Sequence, residues 1–203
     1  MENALVSIAL AFGEIGKAAA GQKMETPAKI AAFCLGELGN TAASRRAKKG
    51  TIAVIFALGE IGKSVTWQKL GDVANSTVAL LEETGKVAAS QKFEDAVLNT
   101  EMLLQEIGTG AIEKNLKETA DISVRSIQDL GKTADRQGLD KALLQAAYSL
   151  EAIKFNAEDR YLMSASINAE VALLHFERFK IESLEDKLNK ISRGKRKFPG
   201  TGL

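Results

Sequence analysis

Apolar side chains recur along this chain in steps of three and four residues, and the whole pattern returns every 23 residues. Units begin at residues 1, 24, 47, 70, 93, 116, 139 and 162. Position 12 of each unit is then Phe12, Leu35, Leu58, Leu81, Leu104, Ile127, Leu150 and Leu173. Position 15 is Ile15, Leu38, Ile61, Thr84, Ile107, Leu130, Ile153 and Phe176. Position 19 is small or apolar, from Ala19, Ala42 and Val65 through to Ala157, and positions 5 and 8 are apolar or small as well. Steps of 5, 8, 12, 15 and 19 place these side chains on one face of an α-helix. A second apolar set occupies position 10: Leu10, Phe33, Phe56, Ala79, Met102, Tyr148 and Val171. A helix with two apolar faces is expected to have neighbours on both.

Eight copies follow one another with no insertion. A unit this short cannot bury its apolar face alone, so the pattern predicts a stacked array. The expected fold is all-α: one α-solenoid, a superhelical array of eight 23-residue helical repeats, with a longer C-terminal capping helix. Glycine holds position 16 in the first six units. Glycine after an apolar run reads as a left-handed residue ending a helix. That reading divides each unit into a longer helix over roughly positions 3 to 15 and a short one over roughly 17 to 23. Its rival is a single helix of about 20 residues per unit, alternating up and down. Thr26, Asp72 and Asp140 read as N-caps, and Pro27 suits a first helical position. Units four to six are more polar, with Thr84, Thr100, Ser123 and Ser126 where other units are apolar.

From Leu139 to Arg193 there is neither Gly nor Pro, and Leu173, Leu174, Ile181, Leu184, Leu188 and Ile191 keep a helical spacing. This predicts a single repeat domain over 1–192, closed by an amphipathic terminal helix. Residues 193–203, rich in Arg, Lys and Gly, are expected to be disordered.

One phrase carries the repeat most clearly: Phe12-Gly13-Glu14-Ile15-Gly16-Lys17, then Leu35-Gly36-Glu37-Leu38-Gly39-Asn40, then Leu58-Gly59-Glu60-Ile61-Gly62-Lys63. It resembles the helix-end motif of HEAT-like repeat proteins. It is also similar to archaeal proteins with tandem Leu-Gly-x-x-Gly-Lys-Ala-Ala repeats. The resemblance covers residues 1 to about 138, and HEAT units are longer than 23 residues. It implies a solenoid that binds other macromolecules and carries over no catalytic residue.

Composition narrows the function classes. Lys and Arg total 27 against 26 Asp and Glu, so no global charge draws the chain to nucleic acid or membrane. A lone cysteine, Cys34 between Phe33 and Leu35, excludes an intrachain disulfide and a multi-cysteine metal site, and reads as a buried thiol. The start, Met1-Glu2-Asn3, lacks a signal peptide's positive region. The apolar run from Ala4 to Phe12 is shorter than the roughly 20 residues of a spanning helix. A cytoplasmic protein without membrane insertion is expected.

Four features are candidates for binding. Position 14 is acidic in six units: Glu14, Glu37, Glu60, Glu83, Glu106 and Asp129. Stacking would align these carboxylates along one edge, either as a groove for a basic partner or as a solvated row neutralised by Lys17, Lys63, Lys86 and Lys132. Arg45, Arg46, Lys48 and Lys49 cluster in one turn, and Arg193, Lys195, Arg196 and Lys197 in the tail. Clustered cations of this kind contact phosphate, though no aromatic platform accompanies them. Trp67 stands where other units have Gly21, Ser44 and Ser90, as a binding anchor or as filler between repeats. His175 is the single histidine, so a zinc site or a His-based nucleophile is not expected. No catalytic residue, metal ligand or cofactor fingerprint is found. The function expected is a non-catalytic protein-binding scaffold. The alternative is binding of nucleic acid or an anionic surface through 45–49 and 193–197.

Overall fold

A computed structural model describes residues 2–176. Seven helices follow one another: α1 (Glu2–Gly21), α2 (Glu25–Ser44), α3 (Lys48–Trp67), α4 (Gly71–Ser90), α5 (Glu94–Lys114), α6 (Lys117–Gln137) and α7 (Asp140–Asp159). An eighth, α8, runs from 163 to the end of the described residues at 176. The all-α repeat array is therefore observed, with no strand among the described residues. The terminal helix expected to reach 192 and the tail over 193–203 extend outside them.

Each unit is one helix, not two. Glycine 16 does not end the helix but lies within it, at the closest point of helix packing. A β-carbon on Gly39 would lie 2.8 Å from Thr84 Cγ2 and 2.8 Å from Val54 Cγ1. On Gly108 it would lie 2.8 Å from Ile153 Cδ1 and 3.0 Å from Ser123 Cβ. The same pair of contacts recurs at Gly16, Gly62, Gly85 and Gly131. Position 16 is thus a socket for position 15 two units on and position 8 one unit on.

The helices end elsewhere, at position 23. Lys23, Arg46, Lys69, Lys92, Asn115, Gly138 and Tyr161 all take the left-handed conformation, with φ between 57 and 69°. The next residue, position 1, donates its backbone N–H to the carbonyl of position 19 at 2.8–3.0 Å at every link. Position 23 donates to position 20, as Lys23 does to Ala20 at 2.9 Å. This is a Schellman end, and it explains the apolar residue at position 1 and the small one at position 19. Sequence reasoning missed it because only Gly138 carries the usual glycine. Position 1 also starts the next helix, so the N-caps are Met24, Leu70 and Leu139 without side-chain caps. Thr26, Asp72 and Asp140 fall inside the helices instead. Pro27 is the third residue of α2, where its missing N–H is still one of the unpaired first-turn donors.

Links of two or three residues between helices of 20 or 21 residues make neighbours antiparallel. Among α1–α7 each helix touches the next and the next but one, and no other. Odd helices therefore form one layer and even helices a second. Within a layer helices run parallel: Lys48 at the start of α3 meets Asp95 at the start of α5 at 2.6 Å. Between the layers lies one continuous core that includes Leu35, Leu58, Leu81, Leu104, Ile127 and Leu150, all fully buried. The hydroxyls of Thr77, Thr100 and Ser123, at position 8, are buried but donate to backbone carbonyls four residues back at 2.8–2.9 Å. That local pairing is why position 8 accepts polar residues in the core, whereas Ser126 donates to Glu82 and the Thr84 hydroxyl is buried without a partner.

Position 10 departs from expectation. Phe33, Phe56, Met102 and Tyr148 are about half exposed rather than packed between neighbours, because position 10 faces out of its layer. Cys34 is half-buried instead of buried, because only α1 packs over it, where the same position of later helices meets two preceding helices.

Two glycines of α5 separate these effects. A methyl group at Gly108 overfills the socket, whereas one at Gly110 meets only Thr66 Cγ2 at an ordinary 3.5 Å. Gly108→Ala is expected to destabilise by about 1 to 3 kcal/mol through overpacking. Gly110→Ala is expected to stabilise by roughly 0.5 to 1 kcal/mol through backbone entropy. Urea denaturation of the two variants checks both signs.

Candidate functional site

The acidic positions do not form one edge. Layering splits them into two columns, Glu14, Glu60 and Glu106 on odd helices and Glu37, Glu83 and Asp129 on even ones. Each column is interleaved with position 17. Lys63 bridges Glu60 at 2.5 Å and Glu106 at 3.0 Å, and Lys17 reaches Glu60 at 3.5 Å. On the even side Asn40 donates to Glu83 at 2.8 Å. Lys86 pairs with Glu82 and reaches Asp129 at 3.7 Å, and Lys132 meets Asp129 at 3.5 Å. The hydrogen bond from Lys63 holds the Glu60 carboxyl below its ordinary range, against the upward pull of burial. Burial pulls Lys63 down, but the hydrogen bonds to Glu60 and Glu106 outweigh it and leave it raised. Lys86 is raised in the same way by Glu82 and Asp129. The columns are therefore alternating-charge ladders that tie each helix to the next but one in its layer.

The basic turn is partly neutralised. Arg45 and Arg46 are exposed at the end of α2, but Lys48 is paired with Asp95, whose carboxyl it holds below the ordinary range. The Lys49 backbone N–H donates to Glu2 Oε1 at 2.8 Å. Arg193, Lys195, Arg196 and Lys197 lie outside the described residues. His175 is exposed on α8.

Trp67, the last residue of α3, does not fill a gap. It is 60% exposed, with Lys114 Nζ 3.2 Å from the ring centroid. Beside it a shallow cavity of about 260 Å³ opens between α3 and α5, lined by Lys63, Thr66, Glu106, Thr109, Gly110 and Glu113. The Thr66 hydroxyl in this wall is buried without a hydrogen-bond partner. Aromatic face, cation, carboxylates and free hydroxyl thus meet at one place.

Two further features escaped the sequence reading. The first is an apolar strip across the outer face of the odd layer. Positions 6 and 10, one helical turn apart, are Ile52 and Phe56 on α3, Leu98 and Met102 on α5, and Leu144 and Tyr148 on α7. Val6 and Leu10 extend it onto α1. On the even layer position 6 is Lys29, Asn75 and Asp121 in α2, α4 and α6, and only α8 has an exposed apolar residue there, Ile167. The signal was present as a doubled period, visible only when alternate units are compared. The second is Glu101, at position 9 of α5, where other units place Ala9, Ala32, Ile55, Val78, Val124, Ala147 and, exposed on α8, Glu170. It is fully buried, neither carboxylate oxygen has a hydrogen-bond partner, and burial pushes its carboxyl well above the ordinary range.

No family model matches the sequence, and no curated protein matches it. Solved structures share the fold. The DHF46 filament aligns with a TM-score of 0.67 at 10% identity, covering 87% of this chain and 98% of that one. The DHF91 filament gives 0.64 at 11% identity with the same coverage. A circular tandem repeat protein with novel repeat topology and enhanced subunit contact surfaces gives 0.65 at 13% identity, covering 93% of this chain and 49% of that one. These likenesses establish a helical tandem-repeat fold and nothing about activity.

Glu101 yields a signed prediction. Its folded form holds a proton that the unfolded chain loses above about its ordinary value of 4.5. The native state then binds more protons, so this group's contribution to stability falls as pH rises through that region. Replacing Glu101 by Met removes an unpaired buried polar group, and is expected to stabilise by about 1 to 3 kcal/mol near neutral pH. The gain is expected to shrink toward pH 4, as measured by urea denaturation of both proteins across the range.

Proposed function

We propose that the chain is a non-catalytic scaffold that holds a protein partner against the outer face of the odd layer. The observation that carries this is the strip formed by Ile52, Phe56, Leu98, Met102, Leu144 and Tyr148, apolar on a face that no helix among the described residues covers. Contiguous exposed apolar patches of this kind mark interaction surfaces. Packed helices lie about 8 to 10 Å apart, so four odd helices spread the strip over roughly 24 to 30 Å. A helix of about 16 to 20 residues, at roughly 1.5 Å per residue, matches that length. Aromatic residues and the adaptable Met102 suit it as an anchor row. The Trp67 cavity, on the same layer, offers a polar contact at its side.

A scaffold also accords with the resemblance to HEAT-like proteins and to archaeal Leu-Gly repeat proteins, and we place it in the cytoplasm. The alternative, phosphate binding through Arg45, Arg46, Lys48 and Lys49, has less support, because Asp95 already engages Lys48.

Affinity capture with wild type and a Phe56→Asp, Met102→Asp variant tests the reading. Both side chains are about half exposed, so helix content is expected to be unchanged by circular dichroism. A specific protein retained by wild type should be lost by at least about tenfold in the variant, as for central interface anchors. Equal recovery by both proteins overturns the reading. So does retention of nucleic acid alone, released by salt.

A further inference from the structure

We propose that two copies of this chain associate through α1, N-terminal end against N-terminal end, about a two-fold axis. The repeat geometry defines the surface. In α3 to α8, positions 4, 8, 11 and 15 face the two preceding helices and are buried, Leu80 excepted at half-buried. In α1 the same positions are Ala4, Ile8, Ala11 and Ile15, all exposed, with Ile15 at 57%. Ala18 continues the row and is exposed too. An end unit facing water needs a polar outer face. This row contains no polar or charged residue, and half-buried Leu38 of α2 adjoins it.

The occupant follows from comparing the two ends of the array. If copies joined head to tail, Ile15 would enter position 16 of the seventh unit, as Ile61 enters Gly16. That position is Lys154, which pairs with Glu170 at 3.5 Å and Glu158 at 3.8 Å. A lysine at that position fills the socket and brings charge to it, so the seventh unit leaves no place for the knob. The N-terminal row complements itself instead. Its spacing of 4, 3, 4, 3 residues is that of a helix–helix seam, with Ala and Ile alternating. An antiparallel pair centred on Ala11 sets Ala11 against its own copy and each Ile8 beside the second copy's Ile15. A two-fold contact closes, so association stops at the dimer.

The test is sedimentation velocity on the full chain, with Ile15→Glu at the proposed contact and Phe155→Glu, on exposed α7 surface, as control. Wild type and Phe155→Glu are expected at twice the 21.7 kDa monomer mass. Ile15→Glu is expected to be monomeric, with dissociation at least about tenfold easier and unchanged helix content. Ala11→Cys in a Cys34→Ser background is expected to form a disulfide-linked dimer on oxidation. A wild-type monomer at about 100 µM overturns the proposal. So do oligomers that lengthen with concentration, or a dimer that Ile15→Glu leaves intact. α1 is long and apolar enough to cross a membrane, with a mean hydropathy of 1.4 over 18 residues. Monomeric protein that floats with phosphatidylcholine vesicles therefore also refutes it.

Discussion

The socket at position 16 is the contact on which the array depends. Position 15 of one helix enters the space left by a missing β-carbon two units earlier, while position 8 of the intervening helix closes the same space. Three helices from both layers meet at that point, and the meeting recurs six times from Gly16 to Gly131. Dense interiors tolerate little change in volume, so the glycine sets how closely the layers approach. The contact also requires a constant unit length. One inserted residue would turn the following helix by about 100°, and every later knob would miss its socket. The uniform Schellman link at position 23 keeps that length constant.

Electrostatics follow the same geometry. Because odd helices lie parallel, position 17 of one comes level with position 14 of the next, and Lys17, Glu60, Lys63 and Glu106 form a ladder. Exposed ion pairs stabilise only weakly, by about 0 to 1 kcal/mol each. Their effect is to make both outer columns close to neutral. Glu101 is the exception, a carboxyl at a core position with nothing to receive. Its presence has no packing rationale in this structure.

Surface composition varies where the socket constraint does not reach. Position 10 points out of the layers and position 6 lies at their outer edge, with Ile52 and Leu98 half-buried against the core, so these positions differ between units without filling the sockets. The odd layer has an apolar strip there, whereas α2, α4 and α6 have Lys29, Asn75 and Asp121 at position 6 and α8 has Ile167. The two ends of the array differ for a related reason. Lys154 occupies the last described socket position with charge, whereas α1 presents the knob side without any.

The 23-residue spacing by itself determined the helical class, the number of units and the residues of the buried stripe, since Leu58, Leu104 and Ile127 recur at one helical phase. It also marked position 14 and Trp67 as irregular or exposed features worth placing. Three matters belonged to the tertiary structure alone. Glycine 16 read as a helix end, with one unbroken helix per unit as the rival, and the arrival of Ile61, Thr84 and Ile107 from distant units shows why glycine stands there instead. The link at position 23 was hidden because lysine, arginine and tyrosine adopt a conformation that local propensity assigns to glycine. The outward direction of Phe56 and Met102 was hidden as well. Periodicity shows which residues share a helix face, but whether another helix covers that face depends on how the units stack, and stacking is a relation between residues far apart in the chain.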